Sequence, residues 1–202
     1  MDQFSPEIPL PGGPPKLVYL GTLAPWQGLG CLVQAMPAIL AKFPEAQLNL
    51  VGPYKKAQHK ELLKLAGKIG LAEDKINIAG AVAPEEAPAW LRQAAVCLAP
   101  LAWNDRNVSQ GCCPIKLLEY AAACRPIVAA DLPVARELLR EGECLFFQPG
   151  DPADLARQVI RLLADRPAAQ AMADRAARRV RRRFTWQRAG EELIGVYLEF
   201  FI

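Results

Sequence analysis

KLVYLGTLAPWQGLGCLVQAMPAILAKFPEAQLNLVG, residues 16–52, holds two short apolar runs with one helical repeat between them. Leu17–Leu20 reads as a strand closed by Gly21. Leu32, Val33, Met36, Ile39, Leu40 and Phe43 then recur at the three- and four-residue spacing of one helix face, with Pro37 predicting a kink. Leu48–Val51 is a second strand closed by Gly52. Neither strand alternates apolar with polar as a half-solvated strand does, so both faces are expected to be covered.

The same unit repeats along the chain. Glu61–Ile69 reads as a helix, Ile76–Ala79 with Gly80 as a third strand, and Pro84-Glu85-Glu86 as a helix start with proline and acid in its first turn. Val96–Ala99 is a fourth strand, Leu117–Ala123 a helix, Ile127–Ala129 a fifth strand, Val134–Leu139 a helix and Cys144–Phe147 a sixth strand. After Asp151, an N-cap ahead of Ala153–Leu163, the pattern is helical to the end. Six apolar strands, each followed by a helix, predict an α/β doubly wound parallel sheet with a helical C-terminal extension. Ligands of such sheets bind outside the carboxyl ends of the strands. That directs attention to 21–30, 52–56, 80–82 and 100–114.

Composition removes several function classes. With 52% hydrophobic residues in 202, the chain can bury one substantial core. No stretch approaches the roughly 18 apolar residues of a spanning helix. Residues 1–15, MDQFSPEIPLPGGPP, read as an extended linker without the basic-then-apolar order of a secretion signal. A cytoplasmic protein with reduced thiols is the expectation. Its six cysteines lack metal-site spacing, and its single His59 excludes a His-rich metal centre, so no metal is expected. The vicinal Cys112-Cys113 could be redox-active, although small core thiols are the commoner role.

Two segments carry polar chemistry. Gly21–Gly30 stands where a phosphate turn would lie but matches neither the dinucleotide fingerprint nor a P-loop. Residues 103–127, WNDRNVSQGCCPIKLLEYAAACRPI, run from a polar loop into a helix, with Lys116 and Glu119 on its first turn. A helix N-terminus attracts anions, and Lys116 with Arg106 would add two positive charges for a phosphate. Glu119 could accept from sugar hydroxyls. A plain surface Lys116–Glu119 pair fits the spacing equally well.

Taken in order, LVYLGTLAPWQGLGCLVQAMPAIL, LNLVGPY, INIAGAVAPEEAPAWLRQAAVCLAPL, PIKLLEYAAACRPIVAAD and FTWQRAGEELIGVYLEFF resemble the C-terminal, donor-binding half of retaining GT-B glycosyltransferases of the family 4 group. The likeness covers residues 16–202, and DQFSP resembles the segment joining the two halves. It implies a linker over 1–15, a Rossmann-like nucleotide-sugar-binding domain over 16–184, and a final helix over 185–202 that crosses back to an N-terminal acceptor domain not present here. By the resemblance, Glu119 binds the donor ribose, backbone around Gly80, Ala81 and Val82 holds the base, and N–H groups near Gly111, Cys112 and Cys113 hold the diphosphate. Gly21 and Thr22 open the facing loop. Lys116 and Arg106 stabilise the charge of the leaving diphosphate. The donor is a nucleotide-diphosphate sugar, used without metal or other cofactor, and the isolated half binds it without turnover.

Three positions depart from the family pattern. Gly111 stands where the first Glu of a Glu-x7-Glu motif would be, although Pro114 and Lys116 resemble a subset with Ser/Pro/Lys there. Thr22 and Gln27 occupy the places of the family's diphosphate-binding Arg and Lys. A degenerate, non-catalytic scaffolding module of the same fold is the alternative. RAARRVRRR, residues 175–183, reads as a solvated helix face or a contact with an anionic membrane, and without aromatic interleaving it does not point to nucleic acid. The apolar stripe of Trp186, Leu193, Val196, Tyr197 and Phe200 would pack on the sheet or be left partly exposed.

Overall fold

In the computed structural model, which describes residues 9–201, the run at Leu17 is β1 (Lys16–Leu20), four of whose five residues are buried. Leu17 and Tyr19 face one layer of the core and Val18 and Leu20 the other, as strand alternation requires. Five further strands lie parallel to it: β2 (Gln47–Val51), β3 (Ile76–Gly80), β4 (Val96–Ala99), β5 (Ile127–Ala130) and β6 (Leu145–Phe147). The sheet order is β3-β2-β1-β4-β5-β6, so the direction of winding reverses between β1 and β4.

Helices cover both faces. On one side α1 (Leu29–Leu40) packs beside α7 (Pro152–Ala164), bringing Leu32, Met36, Ile39, Leu155 and Val159 against Leu17 and Tyr19. On the other, α5 (Ile115–Ala122) lies between the sheet and α8 (Arg166–Arg183), and Leu117, Tyr120 and Val180 join Val18 and Leu20. Each fully buried Leu or Ile contributes about 1.5–3 kcal/mol. The remaining helices are α2 (Lys56–Lys68), α3 (Ala87–Arg92), α4 (Asp105–Val108), α6 (Pro133–Leu138) and α9 (Trp186–Phe201). Asp151 caps α7, its Oδ1 accepting from the N–H groups of Ala153 and Asp154 at 2.9 and 3.0 Å. Among the described residues no helix is long and apolar enough to cross a membrane.

Several elements differ from their sequence reading. α1 is continuous through Pro37, which sits on its exposed face. α2 starts at Lys56 rather than Glu61, because Gln58 Oε1 reaches back to the Lys55 N–H at 2.9 Å. Pro84-Glu85-Glu86 forms a turn ahead of α3, with Glu86 accepting from the Ala83 N–H at 2.9 Å. The edge strand β3 alternates buried and open residues, having one covered side fewer than the central strands.

Residues 9–11 are tied to the domain. Arg125, fully buried, donates to the Pro9 carbonyl at 3.2 Å; Arg166 donates to those of Leu10 and Pro11 at 3.1 and 2.7 Å; and Gln170 Oε1 accepts from the Leu10 N–H. DQFSP lies outside the described residues.

The arginine run divides in two. Arg175, Arg179 and Arg181 donate to the carbonyls of Gly142, Leu138 and Ala122, fastening α8 to the loops behind α5 and α6. Arg178, Arg182 and Arg183 face solvent without an ion-pair partner among the described residues. The stripe on α9 does not pack on the sheet: Trp186 is 89% exposed and Phe200 80%.

Candidate functional site

The cleft lies where β1 and β4 part. Their pairing ends at Val18 and Cys97, leaving the Leu20 N–H without a strand partner. Tyr120, fully buried on α5, fills that gap: its hydroxyl accepts from the Leu20 N–H at 2.8 Å and lies 3.2 Å from the Leu20 carbonyl and 3.4 Å from that of Leu98. Two glycines let the loops close over it. A Cβ on Gly52 would stand 2.1 Å from the Gly21 carbonyl oxygen, and one on Gly28 2.1 Å from that of Pro100. Both have positive φ, 142° and 70°, so other residues are excluded by strain as well as by space.

The resulting cleft holds about 440 Å³ and is lined by Gly21, Gln27, Val82, Arg106, Cys112, Cys113, Lys116 and Glu119, among others. These eight residues, all singled out from the sequence, therefore converge. Gly111 opens instead into an adjoining cavity of about 310 Å³ that shares Cys112 and Cys113. Thr22 and the pair Gly80 and Ala81 stand outside the lining; the Thr22 carbonyl accepts from Tyr19 Oη at 2.8 Å, and that of Gly80 from the Gly52 N–H. A cavity of about 490 Å³ on the far side of the Pro25–Gln27 turn contains none of the cationic or thiol side chains of the cleft.

Lys116 does not pair with Glu119. Its ammonium donates to Tyr19 Oη at 2.8 Å and to Gln27 Oε1, and sits 4.2 Å from the centre of the Tyr19 ring. Burial pushes the Lys116 ammonium down to about 7, against the opposing pull of Cys112 and Glu119. The same burial raises the Glu119 carboxyl above the usual range, with Lys116 acting in the other direction. Of the two positive charges expected, one is thus conditional on pH. Arg106 supplies the other, its guanidinium 5.1 Å from the centre of the Trp26 ring. Among the described residues nothing accepts from the N–H groups of Cys112 or Cys113, which precede α5.

Asn107 holds the two loops together. Fully buried, it donates from Nδ2 to the carbonyls of Trp26 at 2.9 Å and Ala102 at 2.8 Å. Asn107, Tyr120 and Tyr19 were not among the candidates read from the sequence. Tyr120 had a signal, a polar hydroxyl on the apolar side of an amphipathic helix; the other two roles depend on contacts between distant segments.

Comparison with known proteins agrees with this architecture. Residues 14–165 match the family model described as glycosyl transferases group 1. The chain is 32% identical over 159 residues to phosphatidyl-myo-inositol mannosyltransferase of Mycobacterium tuberculosis, covering 77% of this chain and 39% of that protein. Over 164 residues it is 33% identical to a GDP-mannose-dependent alpha-(1-6)-phosphatidylinositol monomannoside mannosyltransferase of the same organism, covering 80% and 41%. Among solved structures, sucrose-phosphate synthase from Thermosynechococcus elongatus superposes with a TM-score of 0.81 at 24% identity, over 95% of this chain and 47% of that one. The chain spans less than half the length of each of these relatives. With a parallel sheet wound as in GT-B donor domains and a match over most of its length, the chain belongs to the glycosyl transferases group 1 family.

Proposed function

We propose that the cleft binds a nucleotide-diphosphate sugar and that the chain is the donor half of a retaining glycosyltransferase. The observation that carries this reading is the reach of two cations across to the Pro25–Gln27 turn. Lys116 meets Gln27, and Arg106 stacks on Trp26. The positive charge missing at Thr22 and Gln27 is thereby supplied from α4 and α5. In this arrangement the diphosphate lies between Lys116, Arg106 and the free N–H groups of Cys112 and Cys113, the ribose on Glu119, and the base toward Val82. The bond broken joins the anomeric carbon to the diphosphate, and the two cations stabilise the charge left on the departing group without a metal. Residues 1–15 are the linker, 16–184 the donor domain and 185–202 a helix that returns to an acceptor-binding N-terminal domain. The donor half alone binds and does not turn over.

The mannosyl specificity of the two mycobacterial relatives makes GDP-mannose the first donor to test. Calorimetric titration with GDP, UDP and ADP and their sugar conjugates is expected to give saturable binding of one base, lost in Lys116→Ala and Glu119→Ala. No binding of any of them by a folded chain would favour the scaffolding alternative.

A second reading rests on the solvent-facing Arg178, Arg182 and Arg183 at the end of α8, followed by the exposed Trp186 of α9. Cations beside an exposed aromatic suit the surface of an anionic membrane, so the protein is peripheral to one. Co-sedimentation with vesicles of phosphatidylserine and phosphatidylcholine should fall with salt and on changing the three arginines to Gln. Equal sedimentation of the changed protein would remove this reading.

A further inference from the structure

Of the six cysteines, Cys31, Cys97, Cys124 and Cys144 are buried, and burial raises each of their thiols. Cys112 and Cys113 differ from them in three ways. Cys112 is half-buried and Cys113 exposed, although partial burial raises the Cys113 thiol too; they are consecutive, and both line the cleft that holds Lys116 and Glu119 as well as the adjoining cavity. Gly111, at φ 74° with open space around its missing Cβ, precedes them, and Pro114 at the start of α5 follows. Among the described residues no third His, Cys, Asp or Glu completes a metal site with them.

We propose that Cys112 and Cys113 form a peroxide-responsive dithiol site whose oxidation to a vicinal disulfide reshapes the turn leading into α5. The reaction balances with hydrogen peroxide as oxidant. The Cys112 thiolate, on the wall of the cleft that also holds Lys116, attacks peroxide, gains one oxygen as sulfenic acid and releases hydroxide, which leaves as water. Cys113 then attacks the Cys112 sulfur, the S–S bond forms, and the oxygen departs as a second water. Two electrons pass from the pair to peroxide, and both thiol hydrogens end in the two waters.

The geometry makes the product reversible. Neighbouring Cα atoms are about 3.8 Å apart, closer than the roughly 4.4–6.8 Å spanned by ordinary disulfides, so the ring strains its own peptide and is reduced readily. That peptide carries the Cys113 N–H, one of the two free donors ahead of α5. Twisting it re-aims the donor and drags on Lys116 two residues beyond Pro114. Resting on the donor-site reading, the consequence is that oxidation weakens nucleotide binding.

The test treats the chain with peroxide and follows three readouts. Intact mass and peptide mapping are expected to find two hydrogens lost from 111–117. Hydrogen exchange over that segment should change, and dithiothreitol should reverse both. Affinity for the nucleoside diphosphate that binds the reduced protein should fall by about tenfold or more on oxidation and return on reduction. Cys112→Ser and Cys113→Ser should each lose the two-hydrogen product and the response of exchange to peroxide. Two intact thiols after treatment, or a disulfide that leaves exchange at 111–117 unchanged, overturns the proposal. A reduced protein that binds no nucleotide overturns the donor-site reading instead, with mass and exchange still deciding the disulfide.

Discussion

The Lys116 ammonium donates to Tyr19 Oη at 2.8 Å, joining the first turn of α5 to the central strand across the cleft floor. Its neighbours are Tyr19 from β1, Gln27 from the following turn, Glu119 from its own helix and Cys112 from the preceding turn. Lysine is ordinarily protonated to above pH 10, whereas burial holds this one to about 7. Between those values the unfolded chain binds the proton and the folded chain does not, so stability rises with pH across that window. Below about 7 both states carry the charge and the cost of burying it is complete.

Ligand binding should follow the opposite course. On the proposed reading the diphosphate is held by the ammonium, so nucleotide affinity is expected to decline as pH rises above about 7. Complex formation at pH 8 should take up a proton, measurable by titration calorimetry in buffers of different ionisation heat. Lys116→Met should raise the melting temperature at pH 6 and flatten the affinity profile. An unchanged profile in that variant would remove Lys116 from the binding step.

On the proposed reading Glu119 takes the ribose and Lys116 the diphosphate. Glu119→Gln keeps the shape of the side chain and removes the charged acceptor, at a carboxyl that burial already disfavours as an anion. Nucleoside diphosphate affinity should drop about tenfold, roughly one charge-assisted hydrogen bond, while pyrophosphate affinity stays level. Equal losses for both ligands would place Glu119 on the phosphates.

Tyr120→Phe strips the hydroxyl that completes the gap between β1 and β4. The Leu20 N–H, buried and without a strand partner, would then be unsatisfied at a cost of about 1–3 kcal/mol. Each kcal/mol should lower the melting temperature by about 2–4 °C in a domain of this size. Nucleotide affinity should fall too, because Leu20 leads directly into Gly21.

Gly28→Ala is expected to destabilise more than Gly111→Ala. Both glycines have positive φ, but a methyl at 28 meets the Pro100 carbonyl and one at 111 meets open space. The strain common to both is about 1–2 kcal/mol. Urea unfolding of the two variants side by side measures the extra cost of the collision.

The strands were legible in the sequence because a parallel sheet buries both faces, and runs such as Val96–Ala99 leave no other use for four apolar residues. Their order was not legible, since nothing in β1 names β4 as its neighbour. Lys116 and Glu119 were legible as candidates from their position near a helix start. The engagement of Lys116 was not, because its partners Tyr19 and Gln27 lie 97 and 89 residues away in the chain. The arginine run was legible only in part, for a related reason. Residue type reports charge, whereas the targets of Arg175, Arg179 and Arg181 are main-chain carbonyls, which every residue possesses.

The tether at residues 9–11 has a mechanical meaning. Tension on the chain ahead of Pro9 would otherwise pull lengthwise on β1, the strand at the middle of the sheet. Arg125, between α5 and β5, and Arg166, at the start of α8, grip the main chain first and share that tension between them. A tug from upstream thus meets these two arginine contacts before it reaches Lys16 and the start of β1.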